Sequence, residues 1–122
     1  PWQEFGRLSM ELMRAGRLVT DTGVHALRWS REKAVAWLDK NTPANHTDNV
    51  TAVQRYIVTP GQACAYEMGK LKLVELRDRA RARLAGGFDL RRFNDRVLGS
   101  GPLPLPMLEA NIDIWIGNGG TG

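Results

Sequence analysis

Apolar residues recur at helical spacing through the first fifth of the chain. Phe5, Leu8, Leu12 and Val19 share one face, which predicts a long amphipathic helix over about residues 2–27 that tolerates Gly16 and Gly23. Ser30 has the chemistry of an N-cap and opens a second, short helix ending near Lys40. Residues 41–49 hold little apolar content and read as a loop, with Thr47 or Asp48 as the cap of a third helix reaching Ile57. Pro60 has no amide proton and disfavours helical backbone at Thr59, so the third helix stops there and a fourth begins at Gly61. That helix runs to about Leu84, where Gly86-Gly87 closes it. Asp89 caps a short helix through Leu98, residues 99–104 form an irregular connector, and Pro106 suits the first turn of a last helix carrying Leu108, Ile112 and Trp115. No strand pattern, repeat or heptad interrupts this order. The expectation is an all-α domain over 1–116 followed by a mobile, glycine-rich tail over 117–122.

Composition narrows the class. A chain of 122 residues with 43% apolar content is long enough for one modest core. No apolar run approaches the roughly 18 to 20 residues that span a bilayer, and no signal-peptide progression is visible, so no membrane partner is expected and the cytoplasm is the default compartment. Cys64 is the single cysteine and cannot form an internal disulfide; with no neighbouring base it reads as a small core residue. Seventeen basic residues face thirteen acidic ones, and the arginines concentrate between Arg77 and Arg96. Glu75, Asp78, Asp89 and Asp95 are interleaved among them, which favours a solvated, ion-paired helix face over an anionic partner such as nucleic acid. No nucleic-acid motif or stacking platform accompanies the charge.

Two stretches carry chemistry. Between Arg55 and Gly69 two tyrosines, an arginine, Gln62 and a Pro-Gly break fall within fifteen positions, the composition of a pocket wall. Gln62 is placed either to meet substrate backbone or to satisfy carbonyls freed by Pro60, and the second is preferred. Arg14, Arg17, Asp21, His25 and Arg28 step by three or four residues and form one polar stripe on the first helix. Such a stripe is the ordinary solvent face of a surface helix. Its functional reading has it facing the cleft, with Asp21 orienting His25 and an arginine meeting a substrate carboxylate in a bidentate way. His46 lies in the polar loop and reads as solvated. The sequons Asn45-His46-Thr47 and Asn49-Val50-Thr51 matter only after secretion. Pro1 reads as a processed start, because the helical pattern does not suit a proline-base isomerase.

The order and spacing of many of these residues carry a resemblance. Residues 17–25, reading Arg17-Leu18-Val19-Thr20-Asp21-Thr22-Gly23-Val24-His25, are followed by Trp29-Ser30, Arg55-Tyr56, Pro60-Gly61-Gln62-Ala63, Tyr66 and Gly69. Leu76-Arg77, Phe88-Asp89, Phe93, Asp95, Leu98, Gly101, Pro104-Leu105, Leu108 and Trp115 come next. Over nearly the whole chain this closely resembles the C-terminal part of the bacterial domain-of-unknown-function 885 family. Members of that family look like gluzincin-type zinc metallopeptidases, helical proteins similar in architecture to angiotensin-converting-type and oligopeptidase-type enzymes. The resemblance therefore implies an irregular multi-helix segment of a larger metallopeptidase-like fold. Zinc in such enzymes is held by a His-Glu-x-x-His helix and a downstream glutamate, elements that lie before the matching segment. His25 and His46 do not form His-x-x-x-His, so no metal ligand and no cofactor is expected in this chain; zinc is expected only in a full-length parent.

What the resemblance implies for the site can be stated residue by residue. Peptide hydrolysis builds negative charge on the carbonyl oxygen, and a phenol or guanidinium beside it stabilises the transition state. Tyr56, with Arg55 beside it, resembles the Arg-Tyr pair serving oxyanion and anion roles in angiotensin-converting-type peptidases; Tyr66 is the alternative. The plainer reading makes both tyrosines core residues with tethered hydroxyls. Catalytic roles are thus assigned to Tyr56, Arg55 and His25, and peptide-substrate contacts to Arg14, Arg17, Asp21, Gln62 and Tyr66. Where family members carry Phe-His-Asp this chain has Phe93-Asn94-Asp95, so any role of that histidine is lost here. A chain cut from a larger helical protein would leave apolar stripes uncovered, including Phe5, Leu8, Leu12 and Trp115, and would bind its missing N-terminal half or itself. The alternative function is a non-enzymatic binding or scaffold module that uses the same pocket for a small ligand or a partner helix.

Overall fold

The computed structural model describes residues 1–121 and is all-α. Its elements are α1 (Trp2–His25), α2 (Arg31–Asn41), α3 (His46–Val58), a 3-10 turn (Gln62–Cys64), α4 (Ala65–Leu84), a second such turn (Ala85–Gly87), α5 (Leu90–Gly99) and α6 (Leu105–Gly117). No strand occurs among the described residues. Contacts along the chain gather into two compact units, Pro1–Met68 and Gly69–Gly122.

In the first unit α1 runs from residue 2 to residue 25, ending just short of the expected residue 27, with Arg7 bridging Glu4 and Glu11 at 2.6 Å each along its exposed face. Ser30 caps α2, its hydroxyl accepting from the Lys33 amide at 3.1 Å. The cap of α3 is Asn45, not Thr47 or Asp48. Its side-chain oxygen accepts from the Asp48 amide at 2.9 Å, while its amide group donates to the Asp48 carboxylate at 2.8 Å. Asp48 serves inside the first turn, where a carboxylate complements the helix dipole. The core gathers Ala34, Val35, Leu38, Val53, Tyr56 and Ala63, with Val24, Trp29 and Trp37 packed against it. Two glycines make this packing possible. A Cβ on Gly16 would lie 2.9 Å from a methyl of Thr42, and one on Gly23 would lie 2.6 Å from the Trp29 ring.

The second unit has its own core of Leu76, Ala80, Phe93, Leu108, Ile112 and Trp115, with Phe93 edge-on to Trp115 at 6.3 Å between ring centres. Asp89 caps α5 as expected, accepting from the amides of Arg91 and Arg92. Pro106 falls in the first turn of α6. The left-handed residue at the end of α4 is Ala85, with φ at 46°, while Gly86 and Gly87 complete the turn. Arg79 reaches Glu75, Glu109 and Asp113 at 2.5 to 3.0 Å, and Lys72 meets Glu75 and Glu109. Much of the basic charge here is therefore neutralised within the unit. Trp115, expected to be uncovered, is 2% exposed, because its ring packs in this core against Phe93. Beyond α6, Gly120, at φ 72°, donates its amide to the Trp115 carbonyl at 3.0 Å. Part of the expected mobile tail is thus a defined turn, and Gly122 lies outside the described residues.

The two kinds of helical glycine separate in a stability measurement. Gly23→Ala is expected to lower the unfolding free energy of the chain by about 1–3 kcal/mol, because its added carbon would overlap the Trp29 ring and force it or the helix to shift. Gly6→Ala, with no atom within 4 Å of its added carbon, is expected to raise it by about 0.5–1 kcal/mol. Urea unfolding of the two variants beside the parent chain gives both signs.

Candidate functional site

The first unit holds a cleft of about 340 Å³. Met13 and Arg17 of α1 form one side, Leu38 of α2 with Thr42 and Ala44 a second, and Asp48, Asn49, Thr51, Ala52, Arg55 and Tyr56 of α3 a third. Gln62, Ala63 and Tyr66 complete it. Five of the residues singled out from the sequence meet here: Arg17, Arg55, Tyr56, Gln62 and Tyr66. Arg14, Asp21 and His25 are not on its wall.

Tyr56 is the most constrained of the five. Only 3% of it is exposed, its ring belongs to the core, and its hydroxyl has the Arg17 guanidinium beside it. Burial pushes the phenol above its ordinary value; Arg17 and Arg55 oppose that shift and the charge of Asp21 adds to it. The phenol therefore keeps its proton, and its capacity to donate, well past neutral pH. Tyr66 differs. It is half exposed, and Arg14 stacks over its ring at 4.8 Å, which fixes the ring at the cleft edge.

The other stripe residues act on the backbone around Tyr56. His25, one ring nitrogen of which lies 2.9 Å from the Tyr56 carbonyl oxygen, must donate there, which sets Nε2 as the protonated nitrogen. Asp21 is not a solvent-facing partner of His25. It is 2% exposed, and both of its carboxylate oxygens accept from the Gly61 amide at 3.1 Å. Gly61 adopts φ of 79°, a left-handed conformation that suits glycine. The break at Pro60 is closed by this clamp and by the Gln62 amide donating to the Thr59 carbonyl at 3.4 Å. The Gln62 side chain makes no hydrogen bond to the chain among the described residues, so it does not satisfy the carbonyls freed by Pro60 and its amide is open to the cleft.

Several wall residues carry no site signal of their own in the sequence. Asp48, Thr51, Ala52 and Arg55 lie on one face of α3, and the three- to four-residue spacing back from Arg55 is the signal that could have found them. Asn49 is buried, donating to the Asp39 carboxylate at 2.8 Å. The hydrogen bonds from Asn49 and then His46 hold the Asp39 carboxyl below its usual range. Cys64 is partly buried, and burial pushes its thiol up, which makes it a poor nucleophile.

The donor set does not fit a zinc ion. His25 is committed to the Tyr56 carbonyl and His46 to Asp39 at 2.7 Å, and no three His, Cys, Asp or Glu side chains gather to hold a metal among the described residues. No helix among them is long and apolar enough to cross a membrane.

With this geometry in hand, the comparisons with known proteins are specific. Residues 1–112 match the family described as bacterial protein of unknown function, DUF885. A solved crystal structure, described as that of the "putative lipoprotein" from Colwellia psychrerythraea, is 44% identical and superposes with a TM-score of 0.92. The match covers 94% of this chain and 20% of that one, so the chain spans about a fifth of that protein's length. A search among curated proteins finds no match. At that extent of agreement with the family, the chain belongs to DUF885.

Proposed function

We propose that the chain is the cleft-bearing, C-terminal helical part of a larger gluzincin-like peptide hydrolase, supplying donors that bind substrate and stabilise an oxyanion. The observation that carries this reading is the gathering of Arg17, Arg55, Tyr56, Gln62 and Tyr66 on one cleft within a single compact unit. The buried phenol of Tyr56 is a proton donor of fixed direction, since its ring is packed in the core and its carbonyl is held by His25. Such a preorganised donor stabilises charge that develops only in the transition state. Arg55 adds positive charge nearby. His25 and Asp21 position this wall through backbone contacts, and neither needs to touch substrate. In this reading any zinc is held by residues outside this chain.

A second reading concerns partners, and the long face of α1 favours it. Trp2 is 84% exposed, and Phe5, Leu8 and Leu12 are each at least half exposed along the same helix. A helix with so much uncovered apolar surface is a docking element. In a protein five times as long, as the solved relative is, that face has further polypeptide to bury against. We propose that this remainder covers it, and that the isolated chain self-associates in its place.

Three measurements test these readings. In a longer family protein that retains the zinc-binding helix, Tyr56→Phe is expected to lower kcat about a hundredfold or more with KM little changed, and Tyr66→Phe to act less. Wild-type turnover in Tyr56→Phe overturns the oxyanion assignment. Metal analysis of the purified 122-residue chain is expected to find no stoichiometric zinc; one tightly held ion per chain contradicts the ligand count. Sedimentation of the same chain is expected to show association that Phe5→Ser with Leu8→Ser weakens, whereas a strict monomer at high concentration removes the docking assignment for α1.

A further inference from the structure

The cleft has a surplus of hydrogen-bond donors, and that surplus says what it takes. Most of its polar wall is already occupied. Thr42 donates to the Leu38 carbonyl at 2.8 Å, Thr51 to the Thr47 carbonyl at 3.0 Å, and Asn49 to Asp39 and to the Ala44 carbonyl. Asp48, the one acid on the wall, accepts from Asn45 at one oxygen, so the lining carries two guanidinium charges against a single carboxylate. Asp21, behind the wall, is spent on the Gly61 amide. What remains is cationic and donating. Neither Arg17 nor Arg55 has a carboxylate partner among the described residues, and the Gln62 amide is open. Arg17, Arg55 and Tyr56 all line the cleft, and the positive charges of both arginines act on the Tyr56 phenol. The rest of the lining is apolar: Met13, Leu38, Ala52 and Ala63, with the Tyr66 ring held by Arg14 at the edge.

We propose that this cleft recognises the C-terminal carboxylate of a short peptide with an apolar last side chain, the carboxylate meeting the guanidiniums of Arg17 and Arg55 and the side chain meeting Met13, Leu38 and Tyr66. A planar carboxylate matches the fork of a guanidinium, and two such forks beside a phenol and a primary amide exceed what a neutral amide could satisfy. A volume of about 340 Å³ suits one or two residues and not a folded partner. The inference rests on the reading of this cleft as substrate-binding and adds the chemical class of the substrate.

The test needs neither zinc nor turnover. N-acetyl-alanyl-phenylalanine as the free acid, its C-terminal amide and inorganic phosphate are each titrated into the 122-residue chain, with binding followed by heteronuclear NMR. The acid is expected to bind saturably and shift residues around Tyr56 and Tyr66, the amide to bind at least tenfold more weakly, and phosphate to bind more weakly than the acid. Arg55→Gln, at an exposed position that leaves the core untouched, is expected to weaken the acid about tenfold or more and leave the amide unchanged, with Arg17→Gln acting the same way. Lys40→Gln, outside the cleft, keeps parental affinity. Equal binding of acid and amide, phosphate binding as tightly as the acid, or both arginine variants retaining full affinity while still folded by circular dichroism would each overturn the proposal. Failure here leaves the Tyr56→Phe turnover experiment standing, and failure there leaves carboxylate recognition standing.

Discussion

The first unit depends on a buried carboxylate. Asp21 lies on the inner face of α1, almost wholly removed from water, with both oxygens on the amide of Gly61. A carboxylate taken out of water costs several kcal/mol unless hydrogen bonds replace its hydration, so this contact strongly favours one arrangement of the 59–61 turn over others. The turn in turn sets where α3 ends and where the segment carrying Gln62, Ala63 and Tyr66 begins. The clamp thereby ties the segment carrying Gln62, Ala63 and Tyr66 to α1, beside the shared core that joins the helices.

Arg17, Asp21 and His25 recur every four residues, and each meets the segment that ends α3. Arg17 lies by the Tyr56 hydroxyl, His25 holds the Tyr56 carbonyl, and Asp21 holds Gly61. One polar stripe thus grips a single tyrosine from its side chain and from its backbone, and the turn beyond it. Gly16 and Gly23 sit on the same helix where it approaches Thr42 and Trp29, and their missing side chains allow α1 to come that close. Residues that look like a solvent face therefore work as an internal fastening, while the apolar face of the helix's first half is the one left open.

That inversion shows why the cleft was only partly legible in the sequence. Arg55, Tyr56, Gln62 and Tyr66 stand out because they crowd a short stretch around a Pro-Gly break, and Arg17 because it keeps helical step with Asp21. Asp48 and Asn49 do not stand out, since a polar residue at the start of a helix has an ordinary explanation in capping. Local spacing offers Asp21 either solvent or His25, one turn away on the same helix. Its actual partner is forty positions further on, and local spacing carries no information about a backbone amide at that distance.

The sequence by itself determined the elements: periodicity, Ser30 and Asp89 as caps, and the proline positions are enough to place six helices with ends good to a few residues, because those signals act within one or two turns. It also bounded the chemistry, since His25 and His46 do not form the His-Glu-x-x-His pattern. Tertiary structure decided which polar residues face inward, that Trp115 is covered, and that the contacts divide into two units. These depend on burial and on pairing between distant segments, where the free energy of removing a group from water outweighs the local preferences a sequence displays.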